Sequence, residues 1–175
     1  SLFNLTFDKL TFDLTEEKTK APPGEFGLPS DVTIRYNNGI VVPNNDAIEQ
    51  FNNVYLPGGD FWPGIENTPE NIRNLFLNTH LSAYPIYKTD VEKGFLNGEK
   101  DKIIFDPSTI VDAQYGSNAT FIVVNEALVP RAFSSITGPI YLRRNYAKVM
   151  FAIEASGLLP ALKRERDMDN RFMFF

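Results

Sequence analysis

The stretch "GIVVPNNDAIEQF", residues 39–51, decides the fold, because a strand pattern changes to a helix pattern within four residues. The β-branched run ends at Pro43, which cannot donate to a sheet and therefore favours a strand end. Asn44, Asn45 and Asp46 follow, and such side chains turn the chain and cap helices by bonding to open backbone groups. Asn45 or Asp46 is predicted to cap the helix. We interpret this corner as structural and not as a reaction centre.

Short strands and helices are predicted along the rest of the chain. Asn38-Gly39 offers the positive-φ pair of a tight turn, so 32–42 is predicted as a hairpin. Thr68 is predicted to cap a helix over 68–81. The run within 118–130 is apolar at successive positions, which predicts a strand buried on both faces. Further strands are predicted over 101–106 and 108–114, and a helix over 146–163 with Tyr146, Val149, Met150 and Ile153 on one face.

The composition is that of a soluble globular protein with a sizeable core. The 175 residues are 43% apolar and 22% charged, with 15 Phe, 7 Tyr and no Cys. Disulfides and cysteine-ligated metals are therefore excluded. The net charge of −5 argues against non-specific binding to nucleic acids, which requires a basic surface. No apolar run reaches the roughly 20 residues of a membrane span. A lipid anchor outside this segment stays open.

His80 is the only histidine, and its place on an apolar helix face favours a buried, structural side chain. The sequence has no nucleophile elbow and no glycine-rich phosphate loop, and one His without Cys is a poor zinc set. We therefore predict no catalytic residue, no metal and no cofactor. A hydrolase that uses Asp60, Glu66 or His80 is the alternative, because paired carboxylates support glycoside hydrolysis.

Phe61 and Trp62 lie in a Pro- and Gly-rich loop and form the candidate interaction surface. Loop aromatics of this kind either anchor their own loop in the core or bind a sugar or a protein. The first interpretation is favoured, and the second stays open.

Charge is unevenly distributed along the chain. Residues 1–140 hold 10 basic and 18 acidic residues, whereas residues 141–175 hold 7 basic and 4 acidic residues. This shift in composition indicates a domain boundary near Gly138-Pro139.

Three stretches, in order, resemble the fasciclin domain family. They are "IVVPNNDAIEQF" (40–51), "LFLNTHLSAYPIYKTDVEKG" (75–94) and "SNATFIVVNEALVP" (117–130), so the match covers 40–130. The resemblance implies an α+β, fasciclin-like fold: a twisted β-sandwich or sheet wedge with helices packed at one side. It also implies that Asn44 and Asp46 turn the chain and cap the helix, and that His80 braces the fold.

The two ends of the chain depart from this family pattern. Residues 1–31 do not resemble the family's opening helices, whereas "FAIEASGLLPALK" (151–163) does, and "RFMFF" (171–175) resembles the start of its strand. We therefore expect a fasciclin-like domain over 1–138, with an atypical front part. Residues 139–175 are then a linker and the opening of a following repeat, or a tail docked on the first domain.

Fasciclin domains are adhesion modules that occur in tandem on cell surfaces and in bacterial lipoproteins. The resemblance implies a non-enzymatic adhesion or protein-interaction module, extracellular or at the cell surface, with a bacterial outer-membrane lipoprotein favoured. Protein partners are expected there, glycans are a further ligand class, and 146–163 is a candidate for self-association. The alternative is a carbohydrate-binding accessory protein of a bacterial outer-membrane uptake system, acting through Phe61 and Trp62.

Overall fold

The structure is a computed structural model that describes residues 38–116 and 119–163. Its mixed sheets and helices confirm the prediction of an α+β fold. The first arm of the predicted hairpin, residues 1–31 and "RFMFF" lie outside the described residues. Within the described part, no helix combines the length and the apolarity needed to cross a bilayer.

Six strands and six α-helices make up the described chain. The strands are β1 (Asn38–Pro43), β2 (Leu81–Ser82), β3 (Phe95–Leu96), β4 (Lys102–Ile103), β5 (Ile110–Tyr115) and β6 (Ala119–Val124). The α-helices are α1 (Asn45–Tyr55), α2 (Glu70–Thr79), α3 (Arg131–Ser134), α4 (Gly138–Leu142), α5 (Ala147–Ala155) and α6 (Leu159–Leu162). Single 3₁₀ turns cover Ile65–Asn67, Pro107–Thr109 and Arg144–Tyr146.

The main sheet has four strands in the order β2-β1-β6-β5, and β3 and β4 form a separate antiparallel pair. β1 and β6 are parallel and in register from Asn38 opposite Ala119 to Pro43 opposite Val124. β2 pairs antiparallel with β1 at one edge of the sheet, and β5 pairs antiparallel with β6 at the other. The two central strands therefore end side by side, and α1 leaves the sheet at that end.

The predicted turn at Asn38-Gly39 is wrong, because both residues belong to β1 and pair with β6. Gly39 instead allows the segment around Tyr84 and Ile86 to pack closely against β1. A Cβ on Gly39 would lie 2.7 Å from the carbonyl oxygen of Tyr84 and would also collide with the Ile86 side chain. Gly39 thus lets the segment after β2 cross directly over the sheet.

The prediction that β6 is buried on both faces is also wrong. Thr120, Ile122 and Val124 are buried on the inner face, whereas Phe121 on the other face is 37% exposed. The inner face is covered because Ile86, Val91 and Phe95 pack on it. Apolar residues at successive positions show that a strand is central, but they do not show how completely each face is covered.

Two hydrophobic clusters fill the interior. The sheet cluster consists of Val41, Ile86, Val91, Phe95, Ile122, Val124 and Leu128. The helix cluster consists of Phe51, Leu56, Ile65, Ile72, Leu75, Phe76, Ala127, Ala132, Phe133, Tyr141 and Met150. Adjacent residues in the segment after β6, Ala127 and Leu128, belong to different clusters, so this segment joins the two.

Asn44, and not Asn45 or Asp46, caps α1. Its backbone is extended, and its side-chain oxygen accepts a 2.8 Å hydrogen bond from the Ala47 N–H. Asn45 and Asp46 already lie inside the first turn and are exposed. The helix itself covers 45–55 as predicted.

Thr68 does not cap α2. Its buried hydroxyl donates instead to the Ile65 carbonyl at 2.6 Å and closes the preceding 3₁₀ turn. α2 starts two residues later, after Pro69, without a side-chain cap.

The predicted helix over 146–163 is interrupted. Gly157, with φ +67°, separates α5 from α6. On the predicted apolar face, Met150 and Ile153 are buried, whereas Tyr146 and Val149 are 42% and 44% exposed. This part of the prediction is wrong because α5 presents only a narrow side to the core.

Residues 138–163 pack against residues 38–137. The Gly138-Pro139 pair begins α4, and Tyr141 of that helix is fully buried in the helix cluster. Glu154 accepts hydrogen bonds from Asn71 at 2.7 Å and from the Tyr141 hydroxyl at 3.1 Å. The described part of the predicted tail, up to residue 163, therefore contacts residues 38–137.

A buried ion cluster fixes Lys163, which directly follows α6. The Lys163 ammonium lies 3.1 Å from a Glu99 oxygen and 3.0 Å from an Asp101 oxygen. Both carboxylates belong to the connection between β3 and β4. The Lys163 side chain is only 6% exposed, so these contacts hold α6 against the hairpin under little screening by solvent.

Loss of the α1 cap should destabilise the protein. We expect Asn44→Ala to lower the free energy of unfolding by about 0.5–2 kcal/mol, because the Ala47 N–H loses its partner. Asp46→Ala, in the first turn but outside the cap, should cost less. Urea unfolding of both variants checks this, and an equal or larger loss in Asp46→Ala would contradict it.

Docking of the tail predicts opposite results for two adjacent residues of α5. Met150→Ala should lower the free energy of unfolding by about 2–5 kcal/mol, because a cavity opens in the helix cluster. Phe151 is 71% exposed, so Phe151→Ala should have little effect. Thermal and urea unfolding would measure both, and a Met150→Ala variant as stable as the parent would argue against docking.

Candidate functional site

A polar cleft lies where the chain leaves the carboxyl ends of β1 and β6. Backbone hydrogen bonds fix its walls: Asn44 N–H donates to Val124 O at 2.9 Å, and Asn125 N–H donates to Thr109 O at 3.0 Å. The cleft has a volume of about 470 Å³. Polar side chains from three segments line it: Asn44, Asp46 and Gln50 from the start of α1, Asn125 and Glu126 after β6, and Ser108 and Thr109 before β5.

Sequence reasoning found one wall of this cleft and missed the other two. It singled out Asn44 and Asp46 but not Asn125 and Glu126. The missed signal is that both pairs directly follow an apolar strand of the same length. In a sheet with parallel neighbours, residues that follow the strands' carboxyl ends meet in one crevice.

The 3₁₀ turn on the third wall is fixed by Asp106. Its carboxylate accepts a 2.8 Å hydrogen bond from the Ser108 N–H and caps the turn. This backbone hydrogen bond, together with the Ser108 hydroxyl, lowers the pKa of Asp106 below its usual value. Asp106 is therefore a structural carboxylate that holds Ser108 and Thr109 in place.

His80 ends α2 and is completely buried. Its Nε2 accepts a 3.0 Å hydrogen bond from the Leu128 N–H, so this nitrogen carries no proton. Nδ1 must then be protonated, and it donates to the Phe76 carbonyl at 2.7 Å. The His80 carbonyl accepts from the Val41 N–H at 2.8 Å. One neutral residue thus joins α2, β1 and the segment after β6.

Burial lowers the pKa of His80 from 6.5 to about 4, against a smaller opposing effect of the Phe76 hydrogen bond. A protonated ring would also turn Nε2 into a donor that faces the Leu128 N–H. The neutral tautomer is therefore required by the hydrogen bonds as well as by burial.

His80 shares no accessible site with Asp60 or Glu66, the other residues of the alternative hydrolase. Asp60 and Glu66 are exposed, whereas His80 is inaccessible and both of its ring nitrogens are bonded to backbone groups. A general base must be within hydrogen-bond reach of the proton that it removes from a substrate. His80 has no such access in this structure.

Phe61 and Trp62 fasten their loop to the segment around α4. The Trp62 indole N–H donates to Tyr141 O at 3.1 Å, and its backbone N–H donates to Leu142 O at 3.3 Å. The Arg143 guanidinium lies 5.1 Å from the centre of the Phe61 ring. Both aromatics are half-buried, so their main contacts lie inside the protein.

Tyr141, next to this loop, is part of the internal hydrogen-bond network. Burial raises its pKa, and the negative charge of Glu154 adds to the shift. Its hydroxyl therefore stays protonated and donates to Glu154, as the 3.1 Å distance indicates.

A group of exposed tyrosines lies elsewhere on the surface and was not predicted. Tyr87 and Tyr115 stack with ring centroids 5.8 Å apart and are 46% and 56% exposed. Tyr84, three residues before Tyr87, is 67% exposed. Their separation in sequence hides the group, since Tyr115 ends β5 and the other two follow β2.

No metal centre is evident in the described ranges. Among residues 38–116 and 119–163, no three His, Asp or Glu side chains are grouped so that they could hold a metal ion. The cleft itself is lined by two carboxylates, Asp46 and Glu126, which is one fewer than such a group of three.

The state of His80 predicts how stability depends on pH. The folded pKa of about 4 lies below the usual 6.5, so the folded protein binds fewer protons than the unfolded chain in this interval. The stabilisation is complete above pH 6.5 and is lost as the pH falls towards 4, by up to about 1.4 kcal/mol per pH unit. Urea unfolding at a series of pH values would measure the slope.

His80→Gln is the control for this prediction, because it removes the only imidazole. The slope between pH 6.5 and pH 5 should flatten in that variant. An NMR titration that gave a raised His80 pKa would contradict the assignment and would require an acidic neighbour.

No family model, curated protein or solved structure matches this chain. The resemblance of residues 40–130 to fasciclin domains therefore stays a prediction from the sequence.

Proposed function

We propose that this chain is a non-enzymatic adhesion or protein-interaction module with a fasciclin-like fold. One observation carries the proposal: His80 bonds to all three stretches on which the resemblance depends. It lies in 75–94, bonds to Val41 in 40–51 and bonds to Leu128 in 117–130. The three stretches thus contact one another in the folded chain, which supports the proposal.

The role of His80 supports a binding module over an enzyme. Both ring nitrogens and the carbonyl of His80 are hydrogen-bonded to backbone groups, so none of them is available to a substrate. The finer architecture that we propose is the family's twisted sandwich or sheet wedge with helices at one side. The four-stranded sheet and the helix cluster beside it are compatible with that arrangement.

The exposed tyrosines offer a contact surface for a protein partner. Tyrosine is enriched in the cores of protein interfaces, because it contributes a large contact area at a low cost in conformational entropy. We call the stacked pair of Tyr87 and Tyr115 the tyrosine patch. It is a better candidate for the interaction surface than Phe61 and Trp62, which serve internal contacts.

The proposed setting is extracellular or at a cell surface, with the bacterial outer membrane favoured. A second contact of the same module is self-association through residues 146–163. Phe151 and Leu158 support it, since they are 71% and 53% exposed on the docked tail. The carbohydrate-binding alternative is less favoured, because Trp62 is half-buried and its N–H is bonded to Tyr141.

The experiment that tests the proposal starts with the immobilised protein. It is incubated with detergent-solubilised surface proteins of the cells that produce it, and the retained protein is identified and purified. Its affinity is then measured for the parent chain and for the double variant Tyr87→Ser/Tyr115→Ser. We expect the variant to bind at least about tenfold more weakly, because interface aromatics carry much of the binding energy.

Val54→Ser is the matched control, since Val54 is an apolar residue of α1 that is 69% exposed and belongs to neither proposed contact surface. It should bind like the parent. Equal affinities for the parent and the tyrosine-patch variant would exclude this patch as the contact surface. Failure to retain any surface protein would count against the interaction module itself.

A further inference from the structure

The cleft at the ends of β1 and β6 has hydrogen-bonding capacity that the fold does not use. Asn44 is committed to its cap, and the Thr109 hydroxyl is bonded to Asp106 O. Within residues 38–116 and 119–163, however, the side chains of Asp46, Gln50 and Glu126 make no hydrogen bond or ion pair.

The free groups are of a mixed kind. The carboxylates of Asp46 and Glu126 only accept hydrogen bonds, whereas the amides of Gln50 and Asn125 both donate and accept. The Ser108 hydroxyl is hydrogen-bonded to Asp106 and is therefore not one of these free groups. All side chains that line the cleft are polar, so an apolar ligand would find no complementary surface.

The frame that carries these side chains is rigid. The two backbone hydrogen bonds, from Asn44 N–H to Val124 O and from Asn125 N–H to Thr109 O, tie the three walls together. The cap at Ala47 and the turn at Asp106 fix the flanking segments. A ligand would therefore not have to order the backbone of its site, which is the costly part of forming one.

We infer that this cleft binds a polyhydroxylated ligand, a sugar unit of a glycan, through direct hydrogen bonds. Sugar hydroxyls each donate and accept, as the mixed lining requires, and they form strong, charge-assisted hydrogen bonds with carboxylates. The 470 Å³ volume falls in the range of small-molecule sites. An anionic ligand would be repelled, because Asp46 and Glu126 are the charged groups of the lining.

This ligand goes beyond the proposed function, which concerns a protein partner at a different surface. The cleft also differs from the Phe61–Trp62 loop on which the carbohydrate alternative was based. No aromatic ring lines it, so stacking cannot add to the affinity. A single sugar unit held by hydrogen bonds alone should bind with a Kd on the order of 1 mM.

The test is an NMR titration of the isotope-labelled chain with the methyl glycosides of glucose, galactose, mannose and N-acetylglucosamine. At least one should shift the amide signals of Asn44, Asn125 and Glu126 in a saturable way. Glu126→Gln and Asp46→Asn keep the shape of the cleft but remove a charged acceptor. Each should weaken that glycoside at least about fivefold, in line with the loss of a charge-assisted hydrogen bond.

Glu49→Gln is the matched control, because Glu49 is an exposed carboxylate of α1 that does not line the cleft. It should leave the Kd unchanged. The inference is overturned if no glycoside shifts the cleft signals, if the shifts centre on Phe61 and Trp62, or if Glu126→Gln and Asp46→Asn bind like the parent. Binding that disappears in EDTA would also overturn it, since a bridging cation would then hold the sugar.

The outcome is independent of the protein partner. A cleft that fails to bind sugars leaves the tyrosine-patch experiment unaffected. Retention of a surface protein that needs the tyrosine patch but not Glu126 would support the proposed function without supporting this site.

Discussion

The hydrogen bonds of one buried histidine hold the fold together. His80 uses its two ring nitrogens and its carbonyl to bind Phe76, Leu128 and Val41, which belong to three separate segments. Phe76 is part of the helix cluster, and Leu128 and Val41 are part of the sheet cluster. The two cores are thus aligned by polar bonds at their boundary, where apolar packing by itself would permit sliding. A buried polar group is costly unless it is satisfied, so this set of bonds also selects a single arrangement.

The sequence predicted the elements that depend on local patterns. The strand-to-helix change at Pro43, the length of α1 and a buried His80 follow from residue types within a few positions of one another. The N-cap was misplaced by one or two residues, because Asn44, Asn45 and Asp46 are all good caps and only the backbone conformation distinguishes them. Gly39 was assigned to a turn for a similar reason. A glycine is needed at this position because a Cβ would collide with Tyr84 and Ile86, which lie more than forty positions away in sequence.

The candidate sites were harder to predict than the elements. The polar cleft joins the start of α1 with residues after β6, and these meet only because β1 and β6 are parallel neighbours. Tyr87 and Tyr115 likewise become one surface only in the folded chain. Trp62 shows the opposite error. As the only tryptophan, in a loop, it suggested a binding surface, but its N–H is bonded to Tyr141 within the protein. The corner at Asn44–Asp46 combines two roles. The Asn44 backbone and cap stabilise the fold, whereas the Asp46 side chain is exposed in the cleft.

The ion cluster at Lys163 has a consequence for how the protein is made. Lys163 binds Glu99 and Asp101, which precede it by 64 and 62 residues, and Met150 completes a helix cluster that begins with Phe51. Contacts of such separation cannot form until residue 163 has left the ribosome, and they slow folding because long loops must close first. Until then the body presents the uncovered side of its helix cluster to the cell. A nascent chain in this state is prone to aggregate until residue 163 has emerged.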